Sequence, residues 1–188
     1  EEASAIPYGS LKALCLLQKV NIKRGQKVLL IGASGGIGSA AVQLAKNQFG
    51  AIVTGVCRTE KVDYVIKLGA DKVIDYKKED FSKNDETYDH IIDILGKGSI
   101  SSYKTSLNKK GTWLFVSFKA KNLLQMLRAK ISGQKKVICA LVSPQAKDLQ
   151  FIKELVEEDK IRPVIDRVFK IDQASEAHRH AESSERKG

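Results

Sequence analysis

Lys27-Val28-Leu29-Leu30-Ile31-Gly32-Ala33-Ser34-Gly35-Gly36-Ile37-Gly38, followed by Ser39-Ala40-Ala41-Val42-Gln43-Leu44-Ala45-Lys46, decides how this chain folds. A short apolar run closes on a glycine-rich turn, and the turn opens a helical pattern. Glycine is needed there because the backbone must reverse tightly, approach a ligand closely and let the helix lie against its own strand. Free N–H groups and the dipole at the helix N-terminus then favour an anionic diphosphate.

The same alternation continues on both sides. A helix over Leu11 to Val20 precedes the first strand, with Pro7 near its start. The helix from Gly38 to Asn47 leads to a buried strand at Ala51 to Cys57, short, apolar and rich in β-branched residues. Glu60 to Leu68 reads as a helix capped by Gly69. Further strands are expected at Lys72 to Asp75, His90 to Ile94, Thr112 to Val116, Lys136 to Val142 and Val164 to Phe169. Helices are expected near Ser99 to Leu107, Asn122 to Ser132, Ala146 to Glu158 and Gln173 to Ala181. Strand alternating with helix predicts an α/β fold of the Rossmann type, a doubly wound parallel sheet with helices on both faces.

With 188 residues, 43% of them hydrophobic, one domain with a sizeable core is expected. No apolar stretch reaches the roughly 20 residues that span a bilayer, and the Glu1-Glu2 start is unlike a signal peptide. Cys15, Cys57 and Cys139 lie far apart without C-x-x-C spacing, which argues against a zinc ribbon or redox couple and for a reducing, cytoplasmic setting. The net charge of +10 suits a polyanionic ligand. Its lysines are scattered and aromatics sparse, so a nucleic-acid site is not expected.

Three chemistries share this glycine pattern, and context separates them. Gly32-Ala33-Ser34-Gly35-Gly36 fits the G-x-S-x-G nucleophile elbow of hydrolases, but that fold lays down several strands before its elbow, and only a helix precedes this one. Gly32, Gly36 and Gly38 also fit short-chain dehydrogenases, whose Tyr-x-x-x-Lys pair is missing downstream; the one such pair, Tyr8 and Lys12, lies upstream. The third pattern, Gly32, Gly35 and Gly38, resembles the medium-chain dehydrogenase/reductase superfamily, in particular its zinc-free quinone oxidoreductase-like branch. Ile6-Pro7-Tyr8-Gly9-Ser10-Leu11, Gly25-Gln26-Lys27-Val28-Leu29, Ala41 to Lys46, Leu68-Gly69-Ala70-Asp71, Val73-Ile74-Asp75-Tyr76 and Lys160-Ile161-Arg162-Pro163-Val164-Ile165-Asp166 resemble it in the same order. The likeness therefore runs over nearly the whole chain.

A nicotinamide coenzyme is then the expected ligand, its diphosphate held by the amides of Ser34, Gly35, Gly36 and Ile37. An NAD-selective unit ends its second strand with a carboxylate about 20 residues past the glycines. Here that place falls at Cys57, small enough to leave room for a ribose, with Arg58 and Lys61 beside it. A guanidinium and an ammonium there favour the extra phosphate of NADPH. The resemblance implies the same for Lys61 and Tyr76, which match a lysine beyond strand two and a tyrosine after strand three of NADPH-using relatives. It also implies that Leu95 and Gly96 lie beside the adenosine, and Ser117 and Phe118, after Val116, beside the nicotinamide. Lys12 departs from the family, many of whose members carry threonine at that place.

No catalytic residue and no metal site are assigned. Asp93 reads as a structural carboxylate; His178 and His180, two apart on a helix, as solvated; His90 as a surface residue. The apolar face of Leu123 to Ile131 reads as core-facing rather than membrane-facing. Residues 1–188 are taken as one dinucleotide-binding domain, about 1–20 and 164–188 adjoining a catalytic domain that lies outside this chain. The implied function is hydride transfer to a small-molecule electron acceptor such as a quinone, enone or activated alkene. The implied partner is a second copy, joined through the edge strand 136–142 in a homodimer. The alternative is a nucleotide-sensing or scaffold protein that keeps the fold without turnover.

Overall fold

The computed structural model describes residues 2–96, 104–116, 136–183 and 185–188. A short turn of helix, α1 (Glu2–Ala5), leads into α2 (Pro7–Val20). Pro7 suits the first turn of α2, where its missing N–H would have no partner in any case. Asn21 ends the helix in the left-handed region (φ 53°) and returns its N–H to the carbonyl of Gln18. Then come β1 (Lys27–Ile31), α3 (Gly36–Gln43), β2 (Ile52–Cys57), α4 (Val62–Lys67) and β3 (Lys72–Asp75). The chain continues with β4 (Tyr88–Asp93), β5 (Leu107–Phe115), β6 (Lys136–Cys139), α5 (Ala146–Glu157) and α6 (Ala174–Glu182).

The six strands form one sheet in the order β3-β2-β1-β4-β5-β6, and every adjacent pair is parallel. This is the order of a Rossmann sheet, with the direction of winding reversing between β1 and β4. Period-two alternation sends Val28 and Leu30 to one face and Leu29 and Ile31 to the other. On the first face Val28 and Leu30 meet Leu14 and Leu17 of α2, Ala41 and Val42 of α3, Val65 of α4, and Ile152 and Leu155 of α5. On the second, Leu29 and Ile31 join Ile91, Phe81, Trp113 and Phe115. The rings of Trp113 and Phe115, two apart on one strand face, stack at 5.2 Å. Each fully buried Leu or Ile here contributes about 1.5–3 kcal/mol of transfer free energy.

Most expected elements stand where the pattern puts them, with three corrections. Val164 to Phe169 has a strand's alternation but belongs to no strand and pairs with none among the described residues. Instead it crosses the end of α3, where the Gln43 amide grips Arg162 in both directions (Nε2 to O 3.1 Å, N to Oε1 2.9 Å). The helix expected at Ser99 to Leu107 fails over its last residues, because 104–106 are in a turn and Leu107 already opens β5; residues 99–103 lie outside the described residues, as does the helix at Asn122 to Ser132. The strand expected over 136–142 stops at Cys139, although Ala140 still donates to Phe115 O at 2.9 Å.

His90 is also not a surface residue. β4 begins two residues earlier than expected, so the imidazole is only 6% exposed, with Nε2 against Gln26 Oε1 at 2.9 Å. Burial holds its pKa below the ordinary histidine value, with the Asp89 carboxylate opposing in part. The unfolded chain therefore binds the proton more readily. Stability from this group is complete above about pH 6.5 and is lost as pH falls toward the native pKa. His90→Gln is expected to flatten the decline in unfolding free energy between about pH 6.5 and 5, measured by urea titration at each pH.

Gly38 makes the closest approach in the fold. A Cβ built there would lie 2.1 Å from the carbonyl oxygen of Gly32 and 2.8 Å from the Ala33 backbone, which cannot yield as a side chain would. Gly38→Ala is expected to cost about 3 kcal/mol by forcing α3 away from the end of β1. A lowered urea midpoint with unchanged slope would show it.

Candidate functional site

At the C-terminal end of β1 the chain turns through Gly32, whose φ of +89° is open to glycine at little cost. The amides of Gly32 and Ala33 both bond to Val56 O of the neighbouring strand at 3.2 Å. Gly35 caps α3 with no side chain, so no side-chain acceptor covers the first amides of that helix. β4 ends beside this turn in the sheet, and Asp93, fully buried, accepts from the Gly96 amide at 2.8 Å to turn the chain outward. Leu95, about half exposed, thereby stands over Gly32. The turn and Leu95 flank the reversal between β1 and β4, where open α/β sheets place their ligands.

Two cavities meet there. The larger, 400 Å³, extends from Gly36 and Ile37 toward Tyr8, Gly9, Arg162 and Val164. The smaller, 240 Å³, runs from Ser34 and Val56 past Cys57, Arg58 and Lys61 to Tyr76. Gly32, Gly35, Leu95 and Arg186 line both. The expected residues Ser34, Gly35, Gly36, Ile37, Cys57, Arg58, Lys61, Tyr76 and Leu95 thus come together around one double cleft. Gly96 closes the turn behind Leu95, while Ser117 and Phe118 lie outside the described residues.

Its charged groups differ in kind. Arg58 is extended at the end of β2 and points its Nε to the Tyr76 hydroxyl at 3.4 Å, so these two residues form one unit. Lys61 is only 5% exposed, and its ammonium donates to the carbonyls of Glu185 and Arg186, the latter at 3.1 Å. Burial lowers the Lys61 pKa, the Asp166 carboxylate pulling the other way. Burial, with Asp75 nearby, pushes the Cys57 thiol up to about 11, so it is not a reactive thiolate at neutral pH. Lys12 sits 4.0 Å over the ring of Tyr8, one helical turn earlier. Ser34 receives no hydrogen bond from a histidine among the described residues, as an elbow nucleophile would require; its carbonyl accepts from Gly188 N at 3.2 Å.

Sequence reasoning missed the C-terminal wall of this cleft. Residues 185–188 cross it, and Asp166 holds them: its Oδ2 accepts from Lys187 N at 3.1 Å and faces His180 Nε2 at 2.7 Å. His180 is accordingly not solvated, as expected from spacing, but wedged between Asp166 and the ring of Phe169, while His178 is exposed. No local signal marks these contacts, since Lys61 and Glu185 are separated by 124 positions. Among the described residues no group of three or more His, Cys, Asp or Glu is placed to hold a metal ion.

Residues 68–188 match the family model described as zinc-binding dehydrogenase. The chain is 33% identical to the chloroplastic quinone-oxidoreductase QR1 of Triphysaria versicolor, over 94% of this chain and 56% of that protein. It is 34% identical to the mitochondrial NAD(P)H oxidoreductase RTN4IP1 of Homo sapiens, over 100% and 54%. Among solved structures it is similar to the quinone oxidoreductase from Coxiella burnetii, with a TM-score of 0.86 at 29% identity, covering 99% of this chain and 58% of that one. The chain thus spans about half the length of the curated relatives it matches. Family model, relatives and sheet order agree, and the chain belongs to the medium-chain dehydrogenase/reductase superfamily, in its quinone oxidoreductase-like branch.

Proposed function

We propose that residues 1–188 are the NADPH-binding domain of a reductase that delivers hydride to a quinone, enone or activated alkene. The observation that carries this reading is the double cleft itself: two cavities joined at a side-chain-free helix start, with Arg58 and Tyr76 at the far end and no carboxylate closing β2. The relatives support it in kind, one being named a quinone oxidoreductase and another an NAD(P)H oxidoreductase.

The residues present fit such a coenzyme. The amides at Gly35, Gly36 and Ile37 would hold the diphosphate, at a helix N-terminus that no capping side chain covers. Cys57 leaves room where a carboxylate would grip a ribose and repel a 2′-phosphate, and Arg58 with Lys61 would take that phosphate. Leu95 would lie against the adenosine, and Ser117 and Phe118 against the nicotinamide. When bound, the coenzyme supplies the hydride; the chain's own part is to fix its orientation and screen its charge. Residues 1–20 and 164–188 would adjoin the catalytic domain.

The outer edge of β6 makes no ladder with any described strand, and such an edge invites a second copy. A homodimer with a continuous sheet follows, so sedimentation of the full-length protein is expected to give twice the monomer mass; a monomer at micromolar concentration would reject the pairing.

The coenzyme assignment is tested by titrating the protein with NADPH and NADH side by side. Replacing Arg58 and Lys61 together with alanine is expected to cost NADPH about 2–4 kcal/mol and to leave NADH nearly unchanged. Equal weakening of both would reject the phosphate role.

A further inference from the structure

Lys61, offered above as a phosphate cation, is not free. A lysine has three N–H donors, and two of them already serve the carbonyls of Glu185 and Arg186 under a cover that leaves the residue 5% exposed. Those carbonyls are held in place by charge. The segment leaves α6 through a turn in which Glu185 N bonds to Ser183 Oγ at 3.3 Å. Next, Lys187 N bonds to Asp166 Oδ2 at 3.1 Å, and Gly188 N ends on Ser34 O at 3.2 Å. Of these ties only Asp166 is ionic. His180 steadies it from the other side at 2.7 Å, within a pair whose side chains are 13% and 19% exposed.

We infer that Asp166 is a positioning residue that tunes the coenzyme's phosphate preference, by holding residues 185–187 across the Lys61 ammonium. The inference rests on the reading that the cleft takes a nicotinamide coenzyme. A 2′-phosphate that approaches Lys61 must share the ammonium with two carbonyls, or draw it away from them. It must also approach the negative charge of Asp166. NADH, which has no such phosphate, meets neither obstacle. Both effects of Asp166 therefore have one sign: each weakens NADPH relative to NADH. Although burial opposes ionisation of Asp166, His180, the Lys187 amide and the Lys61 charge keep its pKa below the usual carboxylate value, so the charge is present at neutral pH.

The test uses the full-length protein, with direct titrations of NADPH and NADH. Asp166→Asn, which keeps the shape and removes the charge, is expected to tighten NADPH about three- to tenfold and to move NADH by less than about twofold, the range of a partly exposed charge interaction. With Lys61→Met already in place, the same substitution is expected to tighten NADPH by less, because the ammonium is gone and only the direct repulsion by the carboxylate is left to relieve. Asp166→Glu is expected to restore much of the original ratio. Hydrogen exchange on the unmodified protein gives a second readout that needs no variant to fold: amides in 185–188 are expected to exchange faster with NADPH bound than with NADH bound. An unchanged NADPH to NADH ratio in Asp166→Asn, or equal weakening of both, overturns the inference. If that variant does not fold, exchange that is indifferent to which coenzyme is bound overturns it instead. Failure of the unmodified protein to bind either coenzyme overturns the underlying assignment of the cleft.

Discussion

The close approach of α3 to the end of β1 is the constraint on which the rest of this structure depends. Because nothing but hydrogen separates Gly38 from the Gly32 carbonyl, the helix starts against its own strand and aims its first amides at the end of the sheet. The contact passes outward: a Cβ on Gly9 of α2 would lie 2.4 Å from the Gly36 carbonyl, so α2 is seated against the same turn. Moving either helix would open the cleft that they and β4 enclose. A packing constraint and a binding surface are here the same few backbone atoms.

The cleft has a second set of walls brought from far along the chain, and polar side-chain clamps fix them. Gln43, at the end of α3, satisfies both the N–H and the C=O of Arg162, which replaces the ladder bonds this extended segment never makes. Asp71 does similar work at the other margin, accepting from the Val53 amide at 2.8 Å and pairing with Lys46, so that β2 is joined to the helical turn Leu44–Gln48 that follows α3. Burial disfavours its charge, but those bonds hold the Asp71 pKa below the usual carboxylate range. The Lys46–Asp71 pair is more than a third exposed on both sides, so it matters more for position than for net stability, which such solvated pairs raise by only about 0–1 kcal/mol.

Much of this was legible in the sequence wherever the cause is local. β3 occupies Lys72–Asp75, and α5 ends within one residue of the expected boundary, because strand and helix periods are written in adjacent residues. The grouping of the glycine turn with Cys57, Arg58 and Tyr76 was legible too, since a parallel sheet brings consecutive strand ends to one side. What was not legible is pairing. Val164 to Phe169 carries a strand's alternation but joins no described strand, and nothing in its own residues says so. His90 and His180 read as exposed because their partners, Gln26 and Asp166, lie 64 and 14 positions away.

The least legible property was the character of each cation. Arg58 and Lys61 are three residues apart and read alike, yet one is half-buried beside a tyrosine and the other is buried under two carbonyls. The Arg58 guanidinium meets Tyr76 and Glu60 through its Nε and keeps further N–H donors for a phosphate, whereas an ammonium already dressed in carbonyl oxygens must exchange one ligand for another. The net attraction of a cleft for an anion is therefore set less by how many basic residues line it than by what those residues hold when the anion is absent.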